Sequence, residues 1–338
     1  MYIIPREQAS PITSMQWETD KEKPYRSLSQ ELKDIYGGKV YKLSLSSFCT
    51  CPNRDGSLGF GGCIFCSEGG SGEFAQASEA DIDTQIERSK ELVAGKLKKK
   101  PAGYIAYFQS FSNTYGDIKR LRELYLRTIN REDVLILSLA TRPDCLGEEV
   151  MELLRELNGI KPVWVELGLQ TSDDRTAKFI NRGYETRIFT EAFHKLKAAG
   201  IGVIAHVIIG LPFEEPEDTL RTISYLSGLL HEGRHIDGIK LHLMYVLSGT
   251  KLGRLYERGE AHLYEYSLSG YADMIADIIE HLPQDIVIHR ITGDAPKRYL
   301  MAPLWSADKK RVLNTIAKRL RKRGSYQGRC FTPPKDFT

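Results

Sequence analysis

Beyond Pro101 the chain repeats one pattern: a short run of consecutive apolar residues, then a longer stretch in which apolar side chains return every three or four positions. The runs fall at 103–109 (GYIAYFQ), 134–140 (VLILSLA), 162–169 (PVWVELGL), 201–209 (IGVIAHVII) and 237–246 (DGIKLHLMYV), and they read as strands. The stretches between them, at about 117–130, 147–158, 173–181 with 187–199, and 215–232, read as amphipathic helices. With an alternating run near 40–46, this makes six β/α units. Strands that are apolar on both faces belong to a parallel sheet covered by helices, so the fold class is α/β. A doubly wound sheet and a barrel or partial barrel both fit, and in either one the polar groups that do chemistry sit at the C-terminal ends of the strands.

The unusual polar residues fall at those ends. Gln109, Ser110, Asn113 and Thr114 follow the second strand, Thr141, Arg142 and Asp144 the third, and Gln170 and Thr171 the fourth. Gly210 to Pro212 follow the fifth, and Gly249 with Thr250 the sixth. Upstream, residues 1–24 carry Pro5, Pro11 and Pro24 without periodicity and read as an extended lead-in. Ser27 is placed to cap a helix over 27–36 that Gly37 and Gly38 stop. A charged helix is expected over 79–100, with Lys96, Lys98, Lys99 and Lys100 in its last turn.

The loop after the first strand holds four of the six cysteines, Cys49, Cys51, Cys63 and Cys66, among closely spaced glycines. Such density reads as a metal-ligating loop. Three chemistries fit the loop alone. Structural zinc needs four ligands, and Cys49 is the only nearby sulfur to complete the set, at a poor spacing from Cys51. A thioredoxin-type pair would leave Cys51 without a purpose. An iron–sulfur cluster on three cysteines leaves one iron open for a ligand.

Composition narrows the class. Hydrophobic residues make up 41% and charged residues 27%, as in ordinary soluble globular proteins, and 338 residues suffice for one barrel-sized domain or two smaller ones. No apolar run approaches a membrane span and no signal-peptide order opens the chain, so a cytoplasmic location without membrane attachment is expected. There thiols stay reduced and serve metals or catalysis more often than disulfides. The net charge of +3 is mild, but Lys309, Lys310, Arg311, Lys318, Arg319, Arg321, Lys322, Arg323 and Arg329 form a dense basic run: a solvated helix face or a phosphate-contacting patch. No glycine fingerprint for a dinucleotide follows any strand.

CPNRDG at 51–56 followed by GGCIFC at 61–66 resembles the radical S-adenosylmethionine (SAM) superfamily. It resembles a bacterial branch of that superfamily, related to the catalytic subunit of Elongator and to the oxygen-independent coproporphyrinogen oxidase. TRPD (141–144), ELGLQT (166–171), NRG (181–183), GLP (210–212), KLHLMYVLSGTKL (240–252), HRITGDAP (289–296) and APLW (302–305) extend the resemblance over about 25–330. It implies a partial (β/α)6 TIM-like barrel over 25–250, between the N-terminal lead-in and a C-terminal helical and lid extension over 251–338.

By the same resemblance, Cys51, Cys63 and Cys66 hold a [4Fe-4S] cluster whose open iron chelates SAM. Reductive cleavage of SAM then starts hydrogen abstraction from substrate. Cys49 lies outside the triplet. Gln170 and Arg182 match residues that contact SAM in the named relatives. Gln109 and Ser110 occupy the place of the family's GGE motif, which is absent here. Ala140 stands where the Elongator-like pattern has a glutamate, leaving Thr141, Arg142 and Asp144 as substitutes. The residues themselves leave alternatives open: His206 faces the nucleoside or the core, Arg142 with Asp144 contacts SAM or only staples its loop by an ion pair, Glu166 satisfies a neighbouring backbone group, and His289, Arg290, Asp294 and Trp305 form a substrate lid or a structural turn. The implied activity is modification of the tRNA wobble uridine at its C5 substituent, with an external electron donor such as flavodoxin or ferredoxin. Radical chemistry on a small molecule or tetrapyrrole, and a non-catalytic zinc-stabilised binding protein, are the alternatives.

Overall fold

The computed structural model describes residues 23–70, 75, 80–95 and 99–333. Helix α1 (Leu28–Tyr36) leads into β1 (Val40–Leu45), and α2 (Ile82–Ala94) follows the cysteine loop. The alternation continues through β2 (Gly103–Phe108), α3 (Ile118–Ile129), β3 (Val134–Thr141), α4 (Glu148–Asn158) and β4 (Val163–Gln170). Next come α5 (Asp174–Phe179), α6 (Thr186–Ala198), β5 (Gly202–Ile209), α7 (Pro216–Gly228) and β6 (Gly238–Leu243). The remainder comprises β7 (Val246–Leu247), α8 (Lys251–Glu257), α9 (Leu268–His281), β8 (Val287–Arg290), β9 (Leu300–Ala302) and α10 (Lys309–Arg323).

Seven strands form one sheet in the order β1-β2-β3-β4-β5-β6-β8. A doubly wound sheet reverses its strand order at a switch point, whereas sequential order with intervening helices is the topology of a partial TIM-like barrel. The β1–β2, β2–β3, β3–β4 and β6–β8 registers are parallel. β3 is buried at seven of its eight positions, as its unbroken apolar run requires.

Four expectations change. The sixth strand ends at Leu243, and β7 pairs antiparallel with β9 instead of continuing it. His289 and Arg290 lie on a seventh strand of the sheet, β8, not on a lid loop. Helix α2 stops at Ala94 without a basic last turn; Lys99 and Lys100 follow it, and Lys96 and Lys98 lie outside the described residues. Ser27 bridges to Ile288 beside β8. Most of the expected lead-in over 1–24 also lies outside the described residues, and the Pro24 carbonyl accepts from the Gln327 amide.

The described residues divide into two compact units, one within 29–168 and 183–204, the other within 23–28, 169–182 and 205–333. In the first, Leu45, Phe108, Ile136, Leu139 and Val165 have essentially no exposed surface, and each such side chain contributes about 1.5–3 kcal/mol by leaving water. In the second, α9 buries Tyr271, Ile275, Ile278 and Ile279, and α10 contributes Val312, Ile316 and Leu320 at four-residue spacing. Asp308 caps α10 by accepting from the Arg311 amide. No helix of the described residues is long and apolar enough to cross a membrane.

Candidate active site

The cysteine loop is folded by its own backbone. The Cys51 carbonyl accepts from the amides of Arg54 (2.8 Å) and Asp55 (3.1 Å), the Gly62 amide donates to the Asn53 carbonyl (2.8 Å), and the Cys66 amide donates to the Cys63 carbonyl (3.0 Å). Gly62 has φ +74°, and a Cβ there would lie 3.2 Å from the Arg54 guanidinium, so glycine is needed on both counts. That guanidinium donates to the carbonyls of Ser67 (2.6 Å) and Glu68 (3.0 Å), closing the loop around its last cysteine.

Cys51, Cys63 and Cys66 are all half-buried, and Cys63 lies within charge range of both others. A hydrogen bond shared with Cys66 pushes the Cys63 thiol well up, and burial and the charges of Cys66 and Cys51 add to this while Arg142 opposes it. Among the described residues no three His, Cys, Asp or Glu side chains converge as ligands of one ion. A four-iron cube asks for a wider arrangement, because each cysteine takes a different iron. Cys63, sharing a hydrogen bond with Cys66 and lying within charge range of Cys51 and of the buried Arg142 on a tight glycine loop, fits such a group. Cys49 is held differently: burial raises its pKa, and Ser47, the Tyr115 backbone and Arg120 lower it.

Arg142 is 8% exposed. Its guanidinium donates to both Asp144 oxygens (2.9 and 2.6 Å) and lies over the Tyr184 ring at 4.8 Å. Burial works against its charge, but the hydrogen bond and charge of Asp144 outweigh it, with Tyr184 and Cys51 adding, so its pKa lies above the usual value. The ion pair that would simply staple this loop is therefore present, and it also sets a fixed positive charge near the thiols. Gly183 of the NRG motif has φ +84°, and a Cβ there would meet Asn53 Oδ1 at 3.2 Å and Arg142 Nη2 at 3.3 Å. A glycine after Arg182 thus lets the chain pass the cysteine loop and Arg142 together.

The other strand-end groups of this unit are largely committed to each other. The Ser110 hydroxyl bonds that of Ser46 (3.1 Å), and the Thr141 hydroxyl bonds that of Thr114 (2.6 Å). Asn113, fully buried, donates to the carbonyls of Phe108, Ser110 and Ala140 and accepts from Ser47 (2.6 Å). Gln109 is half-buried, its amide donating to the Leu45 carbonyl (3.2 Å). Glu166 pairs with the Lys42 ammonium (2.9 Å) and the Ser138 hydroxyl (2.8 Å), side chains on two other strands, and not only with backbone. Sequence reasoning missed Lys42. Its position in an alternating strand marked it as inward or outward, but nothing local named a carboxylate 124 positions away. A cavity of about 530 Å³ lined by Phe48, Thr50, Thr114, Arg120 and Cys145 was likewise unforeseen.

In the second unit Gln170 ends β4 with φ +63°, a left-handed conformation that breaks the strand. Arg182, 1% exposed, directs Nη1 to the carbonyls of Leu169 (2.5 Å) and Thr171 (2.7 Å), the residues on either side of Gln170, and Nη2 to Asp174 (3.1 Å). Arg182, matched to a SAM contact, clamps the strand end that presents Gln170. His206 is half-buried, its ring 5.4 Å from that of His242 on β6. Asp294 pairs with Lys309 (2.6 Å), and Trp305 Nε1 donates to the Tyr266 carbonyl (2.9 Å).

The Radical SAM superfamily model matches residues 48–226, more than half of the chain and all of the cysteine loop's ligand candidates. The chain belongs to the radical SAM superfamily. It is therefore an enzyme whose cofactors are a [4Fe-4S] cluster and S-adenosylmethionine, and it needs a reductant. A Radical SAM C-terminal domain model matches residues 236–322. The uncharacterized protein YtqA of Bacillus subtilis is 41% identical over 313 residues, 93% of this chain and 94% of its own length. The tRNA uridine(34) acetyltransferase of Dehalococcoides mccartyi is 31% identical over 170 residues, 50% of this chain and 35% of its own. Among solved structures, the archaeal Methanocaldococcus infernus Elp3 with an N-terminal deletion has the same fold. Its TM-score is 0.63 at 17% identity, over 86% of this chain and 65% of that one. These matches bear out the Elongator-branch resemblance, and family membership replaces the zinc-protein alternative.

Proposed function

We propose that Cys51, Cys63 and Cys66 hold the [4Fe-4S] cluster and that the enzyme modifies the wobble uridine of tRNA at its C5 substituent. The relation to a tRNA uridine(34) acetyltransferase across half of this chain carries the substrate assignment. When bound, the cluster and SAM supply reductive sulfonium cleavage and the means of abstracting a hydrogen from substrate. The chain's own residues position those groups. Arg142, fixed by Asp144 and Tyr184, offsets the negative charge gathered by three thiolates. Gln109 and Gln170 are the proposed SAM-binding side chains. Arg182, Ser110 and Thr141 act by fixing the strand ends around them, and His206 faces the nucleoside. A small one-electron carrier such as flavodoxin or ferredoxin is the proposed donor, in the cytoplasm, where thiols stay reduced.

Nucleoside profiles of tRNA from cells with and without the gene test this reading. Loss of one C5-substituted uridine, with its precursor accumulating, is the expected result. Identical profiles would return the substrate to the small-molecule class.

A further inference from the structure

The loop after β5 inverts the usual placement of side chains. Glu214 is 2% exposed, while Phe213 beside it is 56% exposed. An apolar ring facing water next to a buried carboxyl gains nothing from burial, so folding alone does not account for it. Holding it there has a cost as well. Phe213 has φ +63°, in the left-handed region that bulky residues avoid, with His262 at φ +46° beside it, and such strain collects where a site requires it. The Phe213 amide donates to the His262 carbonyl (2.8 Å), locking the two left-handed residues together. Their rings stack at 4.4 Å with planes 26° apart, and Phe179 meets Phe213 edge-on at 4.8 Å. The result is an exposed aromatic ring with its orientation already fixed.

A second observation lies in the same unit. Trp305, in the short turn Leu304–Ala307 just before α10, donates to the Tyr266 carbonyl, which ties the segment carrying His262 and the exposed Tyr264 to the start of that helix. On α10 the basic run separates into two sets. Lys309, Arg319 and Arg323 are paired with Asp294, Asp273 and Asp277 respectively. Lys310, Arg311, Lys318, Arg321 and Lys322 are exposed, and among the described residues none of them makes an ion pair. Lys310, Arg311, Asn314, Thr315 and Lys318 line a groove of about 510 Å³, with one carboxylate, Asp308, at the start of the helix.

We infer that this unit presents an RNA-binding face in which Phe213, backed by His262, stacks on one unpaired nucleobase while the unpaired cations of α10 contact the phosphates around it. The inference rests on the tRNA reading above and deepens it. Fixed aromatic faces with a track of free cations are what single-stranded RNA loops require, since every base offers a π-face and every nucleotide a phosphate. A protein partner would fit the aromatic face but would not account for five unneutralised cations on α10.

The test is binding of the intact chain to an RNA stem–loop carrying 2-aminopurine in its loop, followed by anisotropy and probe quenching over a salt series. Phe213→Leu and Phe213→Ala are expected to weaken binding roughly tenfold or more, to abolish the quench and to leave the salt slope unchanged. Phe213→Tyr, which retains a ring, restores both. Lys310→Ala/Lys318→Ala/Lys322→Ala lowers the salt slope by about 0.7 for each phosphate that is no longer neutralised and keeps the quench at saturation. Melting curves establish that each variant is folded. Unchanged affinity and quench in Phe213→Leu and Phe213→Ala would overturn the platform and leave the aromatic face to a protein surface. An unmodified chain that binds no RNA would overturn the platform and remove support from the tRNA reading; binding that ignores Phe213 would sink the platform alone.

Discussion

Glu214 makes stability depend on pH in a direction opposite to that of most carboxylates. Its side chain is almost fully buried, and Oε1 has no hydrogen-bond partner among the described residues. Burial pushes its pKa up to about 7 from an ordinary 4.5; a hydrogen bond from Thr171 opposes the rise, the charge of Asp173 adds to it, and Thr176 and Arg221 oppose it. Below pH 4.5 the folded and unfolded chains both hold the proton, and Glu214 carries no pH-dependent penalty. Between 4.5 and about 7 the unfolded chain releases its proton while the folded chain keeps it, so stability falls as pH rises. Above about 7 both are ionised and the loss is complete. At about 1.4 kcal/mol per pH unit the gap amounts to roughly 3 kcal/mol.

Glu214→Gln stays neutral throughout and keeps the shape of the side chain. Relative to the variant, the unmodified protein should lose those 3 or so kcal/mol between pH 4.5 and 8. With an unfolding entropy of about 2.1 cal/mol/K per residue over 338 residues, the gap in Tm should change by about 4 °C. Calorimetric scans of both proteins, prepared anaerobically in parallel at pH 5, 6, 7 and 8, measure this. A difference independent of pH, or one that moves in favour of the unmodified protein as pH rises, refutes burial as the controlling effect.

Serine at Cys51, Cys63 or Cys66 should each abolish retention of about four irons after anaerobic reconstitution, whereas Cys49→Ser should retain them; iron and sulfide assays decide, and loss in Cys49→Ser would redraw the ligand set. Lys42→Met takes the ammonium away from the Glu166 carboxylate, whose side chain is wholly buried, and should cost about 2–4 kcal/mol in urea unfolding. Lys42→Met/Glu166→Leu should recover most of that loss, and a double variant as unstable as the sum of the two singles would show that the pair is not coupled.

The parts of the fold legible in the sequence are those where a local pattern has one physical cause. Strands covered on both faces must be apolar throughout, so β2 to β5 announce themselves. The cysteine loop stands out by its density of thiols among glycines, but spacing alone left zinc, redox and iron–sulfur chemistry open, and the resemblance chose among them. β8 escaped notice because only four residues form it and two of them, His289 and Arg290, are polar and half-buried. Lys42 and Glu166 become partners only once strand order is known, and Arg182 shows the same limit: its chemistry advertises a fork for oxygen atoms, but only the fold says that the nearest oxygens are carbonyls of its own strand end. On α10, by contrast, more was readable than composition suggests. Val312, Ile316 and Leu320 define the inward stripe, and Arg319 and Arg323 flank it, so the division of the basic run into tethered and outward charges follows from helical spacing.

Phe213 and Glu214 mark where that kind of reading stops. Any rule of burial sends the phenylalanine in and the glutamate out, and the GLP that precedes them supplies no glycine at the position that turns the chain over. The inversion depends on a left-handed backbone at a residue that resists it, held by His262 from a segment 49 positions further along. Two costs are thereby concentrated in adjacent residues, a strained exposed ring and a buried carboxyl with one oxygen unsatisfied. Glycine at 213 would remove the strain, and glutamine at 214 would remove the cost of ionising a buried group. That the loop carries both is the physical reason to look for what the ring is held out to meet.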